Sequence, residues 1–372
     1  MKTRLYKHKC VIYDEKEWKE RQMKENESGS GDGRKQSGRI RKILFSPLVK
    51  TLLKAALAAG IIIFLIHKAP DGLLETLKKM NPVWICFALL LYALHIFANA
   101  WRWWILLRAQ KIDCSLMLAV SLTMQSFFFS LVLPGAIGGD LVRAGFLAAH
   151  IEKGRKFDGA FTILIDRFTG MIGIFLVALL MLPFVWGTIA EVKGIIEKFI
   201  YVLLAGSVCG ILAAFVVFKH KALERIGLYC RMKNLADRFS GGLYTKISDA
   251  LDSYNHCRKE VVLCIVTSVV FVNLVLGMMA YCVAVGVNGL DTSFGSTLAA
   301  ITVGNIAGLL PTTPAGLGVR DMFVIPILKG GGMNGDAALA VSLVISGIII
   351  CFNLLGGIFF IFTPVGKNKK GN

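Results

Sequence analysis

The sequence predicts an all-α protein threaded repeatedly through a membrane, with about six full spans and two shorter re-entrant hairpins of broken helix. Three observations carry that expectation. Hydrophobic residues make up 55% of the 372 positions and charged residues 18%, with a mean hydropathy of +0.63. Soluble domains hold about 45–50% apolar and about 25% charged residues. Apolar runs of the roughly 20 residues needed to cross a hydrocarbon core recur along the chain. Two further runs are broken by Pro and Gly. The composition also excludes a disordered chain, which would be poorer in apolar residues. The net charge of +18 alone would suit a nucleic-acid binder, whose charge sits on a polar surface. Combined with a hydrophobic excess, it fits basic segments flanking a bilayer.

In chain order, residues 1–46 form a polar basic tail. Its first 42 residues hold 13 Lys/Arg against 7 Asp/Glu, include the run Ser28–Arg34, and show no signal peptide. A transmembrane domain then covers 47–363. Its spans are expected at about 48–66, 83–107, 157–182, 199–218, 261–286 and 337–362. The first hairpin is an apolar run over 116–133, a break at Pro134-Gly-Ala-Ile-Gly-Gly139 and a shorter segment to about His150. The second runs over 294–313, breaks at Pro314-Ala-Gly-Leu-Gly318 and continues to about Lys329. Broken helices at membrane depth line a cavity, because the freed backbone groups need polar partners. Residues 364–372 form a short basic tail.

Charge sets the expected orientation. If each broken stretch crossed fully, the loop 219–260, with nine Lys/Arg against five Asp/Glu, would lie outside, against the positive-inside rule. If both stretches are re-entrant, the N-tail (+6), the loop (+4) and the C-tail with Lys367, Lys369 and Lys370 (+3) all face the cytoplasm. There they meet anionic lipid headgroups.

The two breaks repeat. Pro134-x-x-Ile137-Gly138 and Pro314-x-x-Leu317-Gly318 lie 180 residues apart, and no other proline in the chain has Ile or Leu at +3 and Gly at +4. The same offset carries 83–107 onto 263–287 and 157–182 onto 337–362. Repeat one therefore covers about 83–182 and repeat two about 261–362. In the re-entrant topology they enter from opposite sides, an inverted repeat of the kind transporters use.

Candidate headgroup residues are the charges at the breaks and in the span after the first. Asp140 and Arg143, at i and i+3, share a helix face. The offset sets Arg320 opposite Asp140, with Asp321 beside it. Asp166 and Arg167 lie about ten residues into span 157–182, where each ionisable group costs about 2.5–3.5 kcal/mol and faces a polar interior. Adjacent helix positions are about 100° apart, so these two have different partners. Arg143, Arg167 and Arg320 are expected to surround an anion, with Asp140, Asp166 and Asp321 neutralising the empty site. The alternative is capping charges and structural ion pairs. Pro134, Gly135, Gly138, Gly139, Pro314, Gly316 and Gly318 shape the breaks and admit close approach. His95, Asn99 and Arg102 form one stripe on span 83–107, read either as a headgroup contact or as part of a belt with Trp101, Trp103 and Trp104.

Enzyme signals are weak. There is no His-Glu-x-x-His, Walker A or Gly-x-Ser-x-Gly motif. The loop 219–260 is too short for a catalytic domain of usual size. No cofactor or metal is expected. The nine cysteines form no Cys-x-x-Cys pair, and Cys86, Cys209, Cys264, Cys282 and Cys351 fall in apolar runs, which suits small buried apolar residues.

Leu133-Pro-Gly-Ala-Ile-Gly-Gly-Asp-Leu-Val-Arg143 and Pro311-Thr-Thr-Pro-Ala-Gly-Leu-Gly-Val-Arg-Asp321 resemble the paired signatures of the lysylphosphatidylglycerol synthase transmembrane-region family. Trp101-Arg-Trp-Trp-Ile-Leu-Leu-Arg108 and Asp166-Arg167 are also similar to that family's pattern. The resemblance covers about residues 48–363 and departs at Arg320-Asp321, where Arg-Glu is expected. It implies a flippase-like, multi-pass protein of the bacterial or archaeal inner membrane. In fused relatives this region translocates aminoacylated phosphatidylglycerol, and a soluble domain, without counterpart here, transfers lysine from Lys-tRNA.

Three functions follow as expectations. The first is a transporter moving an anionic or aminoacylated phospholipid, or a polyprenyl-phosphate-linked lipid, between leaflets. The second is a phosphatidylglycerol lysyltransferase conferring antimicrobial-peptide resistance. The third is a scaffold for envelope glycolipid synthesis, its basic loop docking a cytoplasmic partner. No nucleic acid is expected unless the lysyltransferase reading holds, which requires Lys-tRNA.

Overall fold

A computed structural model describes residues 80–191 except Val132 and Pro134, the single positions Tyr201, Val208 and Tyr254, and residues 257–363 except 290–291, 310–315 and 317. The expected spans 48–66 and 199–218, both tails, Pro314 and nearly all of the loop 219–260 lie outside the described residues. Those described are α-helical, with one turn of 3-10 helix at Lys153–Arg155 and one π-helical segment.

The first helix, α1 (Pro82–Ala109), starts where Asn81 accepts a 3.0 Å hydrogen bond from the Val83 N–H and Pro82 takes the first position, whose N–H would have no helical partner. Its exposed apolar residues include Val83, Phe87, Leu90, Leu94 and Phe97, spaced four and three apart, with Leu89 beside them. Such a stripe left bare to water would forfeit about 1.5–3 kcal/mol per side chain; in lipid it is at home. The opposite face buries Ala88, Tyr92, Ile96 and Trp103.

Ser115 caps α2 (Leu116–Ser130), which is followed by α3 (Gly135–Ala148) and α4 (Lys156–Glu191). The second half begins with α5 (Arg258–Thr267), passes through the π-helical segment Ser268–Leu274 and continues as α6 (Val275–Asn288). It ends with α7 (Phe294–Gly308), α8 (Val319–Gly330) and α9 (Gly335–Phe362). Four stretches are long and apolar enough to cross a membrane: Pro82–Ala109, Lys156–Met181, Arg258–Val287 and Gly335–Phe362. These match four of the expected spans. At about 1.5 Å per residue, α2, α3, α7 and α8 reach only about 18–23 Å. None crosses a roughly 30 Å core alone, so each pair makes a hairpin.

The halves pack alike. In the first, α1 lies on α2, α2 on α3 and α3 on α4; in the second, α6 lies on α7, α7 on α8 and α8 on α9. Across the halves, α1 packs on α6, α2 on α9 and α7 on α4. The α1 contacts run in opposite chain directions: Met80 and Trp84 approach Gly286, His95 meets Val272, Arg102 meets Cys264 and Ala109 meets Cys257. The 180-residue offset makes these two helices equivalent, and they are antiparallel, so the two copies are inverted.

Small residues set how tightly the hairpins close. A Cβ on Gly139 would collide with the Ser126 carbonyl and the Ser130 hydroxyl of α2. In the second hairpin Gly316 has φ +70°, and its added Cβ would stand 2.8 Å from the Gly308 Cα. Only glycine meets both demands there.

Apolar packing follows the same division. Trp103, Leu107, Leu122, Leu147 and Ile163 join hairpin one to α1 and α4. A larger cluster including Tyr92, Met279, Leu298, Ile327 and Val341 joins hairpin two to α1, α6 and α9. The cysteines divide: Cys264 and Cys282 are buried as expected, whereas Cys86 and Cys351 are exposed among apolar neighbours on the outer faces of α1 and α9.

Candidate headgroup site

Five charged side chains meet where α1, α3 and α4 converge. Asp166 lies on the buried face of α4 at 3% exposure, and two arginines grip it. Arg102 of α1 places Nε 2.9 Å from Oδ1, and Arg143 of α3 places Nη1 3.2 Å from Oδ2. Arg102 also donates to the Ser268 hydroxyl at 3.2 Å, and that hydroxyl donates to the Gly170 carbonyl at 3.3 Å. Isolated charges so deep would cost many kcal/mol, so these must be paired. The next residue, Arg167, turns away from Asp166. It forms a two-point contact with Asp140 on α3, with Nη2 2.7 Å from Oδ1 and Nε on Oδ2. Arg167 is 35% exposed at its side chain and Asp140 14%, so this pair forms the open edge of the group.

Arg143 is the unusual member. Only 4% of it is exposed, yet Nε and Nη2 have no hydrogen-bond partner. Its guanidinium stacks on Trp103, with the central carbon 3.5 Å from the ring centre. Trp103 is held in turn by its indole N–H, which donates to the Thr162 hydroxyl at 3.0 Å. On α2, which packs against α3, the buried hydroxyls of Thr123 and Ser126 also lack partners, and Ser126 lies against Gly139, next to Asp140. Buried polar groups are nearly always satisfied. With Gln125 Oε1, also unpartnered on α2, four residues on the facing helices of this hairpin carry buried polar atoms that a polar ligand or water could satisfy. Among the described residues, counting Arg102, Arg143 and Arg167 against Asp140 and Asp166 leaves one positive charge in excess.

The second hairpin forms a separate group. Arg320, 4% exposed, donates to the Ser346 hydroxyl, and its Nε stands 3.8 Å from Asp321 Oδ1. Asp321 is fully engaged. It accepts from the Gly318 N–H at 3.1 Å, as a helix-capping carboxylate, and from Ser342 and Ser346 at 2.7 and 3.1 Å. The offset maps Ser342 and Ser346 onto Thr162 and Asp166, so the α8–α9 contact repeats the α3–α4 contact. Arg143 and Arg167 thus belong to one group of charges, each on a different carboxylate. Arg320 has partners of its own: among the described residues it shares no carboxylate or hydroxyl with Arg143 or Arg167.

The stripe on α1 also resolves. His95 Nδ1 bonds the Val272 carbonyl at 2.9 Å, and its Nε2 accepts from Asn99 Nδ2 at 3.2 Å. With both nitrogens committed, His95 fastens α1 to the π segment. Arg102 sits in the protein interior, paired with Asp166. Of the expected aromatic belt, Trp103 is fully buried, while Trp104 donates to the Cys114 carbonyl at 2.9 Å and carries Arg108 over its ring. Sequence reasoning passed over Thr123, Ser126 and Ser268. Their signal was available, as small polar residues inside apolar runs. Among the described residues no group of three or more His, Cys, Asp or Glu side chains could hold a metal ion.

The fold and this buried charge cluster define a class: a multi-pass, all-helical membrane protein with two inverted hairpin repeats. A family model described as "Lysylphosphatidylglycerol synthase TM region" matches residues 51–357, and the chain belongs to that family. A relative from Methanothermobacter thermautotrophicus, called a UPF0104 membrane protein, is 25% identical over 316 residues, covering 79% of this chain and 88% of its own.

Proposed function

We propose that the protein is a lipid transporter of the cell membrane and that the charge cluster of hairpin one holds the phosphate of the lipid headgroup. The observation that carries this reading is Arg143: a buried arginine with two N–H groups unpartnered, in a cluster with one positive charge in excess. Arginine suits the task, because its planar fork matches phosphate oxygens two at a time. A headgroup would enter past the exposed Asp140–Arg167 edge while the acyl chains stay in lipid against the apolar faces. With hairpins from opposite sides, rocking one repeat against the other would open the group to each leaflet in turn. The charge distribution supports cytoplasmic termini.

The test is reconstitution into liposomes with a panel of labelled phospholipids, wild type beside Arg143→Ala. The expected result is movement of at least one lipid by the wild type and its loss in the variant. Equal rates on every lipid would remove Arg143 from the site.

The family description contains the word synthase, which favours one other reading, lysyl transfer to phosphatidylglycerol. Lipid extracts of cells expressing only this chain decide it. No lysyl-phosphatidylglycerol is expected, and its appearance would establish the enzyme.

A further inference from the structure

Resting on the transporter reading, the cluster's charge count narrows the headgroup. We infer that the site is matched to a lipid carrying a single net negative charge, a phosphodiester monoanion without an ammonium group. Arg143 bonds Asp166 and lies one helical turn from Asp140, and arginines already hold both carboxylates. Asp166 is gripped by Arg102 and Arg143, and Asp140 by Arg167 through two nitrogens. An entering phosphodiester can take the free Nε and Nη2 of Arg143, and the hydroxyls of Thr123 and Ser126, without breaking any of these pairs. It brings the group from one excess positive charge to neutrality.

Other headgroups fit less well. The ammonium of a zwitterionic lipid would find no uncommitted carboxylate in the cluster among the described residues. An aminoacylated headgroup brings a second cation beside three arginines, where like charges repel. A phosphate monoester or pyrophosphate brings two or more negative charges and leaves one uncompensated beside side chains only 3–5% exposed, an arrangement that burial penalises heavily. Asp140 thereby sets the charge the site accepts, and removing its charge should move that preference by one unit.

The experiment compares headgroups in proteoliposomes containing the full chain: labelled phosphatidylglycerol, phosphatidylcholine, lysyl-phosphatidylglycerol and phosphatidic acid, each at trace level in the same carrier lipid. Phosphatidylglycerol should move at least about tenfold faster than the other three, the ratio that a difference of about 1.4 kcal/mol gives. Asp140→Asn should raise phosphatidic acid relative to phosphatidylglycerol by a similar factor. Equal wild-type rates for phosphatidylglycerol and phosphatidylcholine, or a faster rate for lysyl-phosphatidylglycerol, would overturn the inference and leave the transporter reading standing. No movement of any lipid would overturn the transporter reading itself. Entrapped glycerophosphoglycerol carries the same phosphodiester without acyl chains, and its escape at the lipid's rate would overturn the assignment to a lipid. The wild-type panel decides selectivity even if Asp140→Asn fails to insert.

Discussion

Asp166 carries two arginines, and its removal strands both. Arg102 and Arg143 are 5% and 4% exposed, so Asp166→Ala should destabilise the protein by about 3–5 kcal/mol, the range for leaving a buried charge unpaired. Arg167 is one position away and partly exposed. Arg167→Ala should cost less, about 1–3 kcal/mol, because it leaves only the 14%-exposed Asp140 without its partner. Thermal unfolding in detergent, run on both variants, separates these two; equal losses would show that the cluster is not layered from buried to open. Asp166 and Arg167 are neighbours in sequence with opposite duties, and helical geometry is the reason. The sequence singled out both residues and expected different partners. It did not show that Arg102, 64 residues away on another helix, would be one of them.

At the scale of elements, close approach and helix phase decide the structure. Gly139 lets α3 settle on the Ser126 carbonyl, so Gly139→Val should force the hairpin apart and cost about 1–3 kcal/mol, as overpacking does. The same thermal measurement should show the loss, and a neutral result would mean that the hairpin opens freely. The π segment Ser268–Leu274 inserts one extra residue per turn, a feature often found beside functional sites. Asn273 bonds the Ser268 carbonyl at 2.8 Å there, and the neighbouring Val272 carbonyl takes His95. Deleting Val270, whose side chain is 40% exposed, should restore α-helical spacing and turn one end of the span by about 100° relative to the other. Either His95–Val272 or Arg102–Ser268 must then break, and the unfolding temperature should fall. Nothing in the apolar run 261–286 announced this segment, because π and α helices draw on the same residues.

For the whole molecule, inversion makes a directional prediction. The connection after α1 and the connection before α9 lie at opposite ends of the antiparallel pair formed by α1 and the helix of 258–288. Lys111→Cys and Asn334→Cys should therefore react with a membrane-impermeant maleimide from opposite sides of sealed vesicles. Labelling of both from one side would remove the inverted arrangement.

The class of the protein was decided by the chain alone. Apolar runs about 20 residues long can be stable only in hydrocarbon, and Pro-x-x-Ile/Leu-Gly recurring at a fixed offset betrays a duplicated hairpin. Four of the six expected spans, both hairpins and the repeat register were legible because each follows from residues close in sequence. The partners inside the site were not. Arg102, Arg143 and Asp166 come from three helices, and Ser268 from a fourth, so which charges neutralise one another depends on how those helices turn about their axes when packed. That rotation also gave Arg320 its own partners, Ser346 and Asp321, and left two N–H groups of Arg143 without a partner. The tertiary structure alone decided that a set of spaced charges became one buried cluster with a single positive charge to spare.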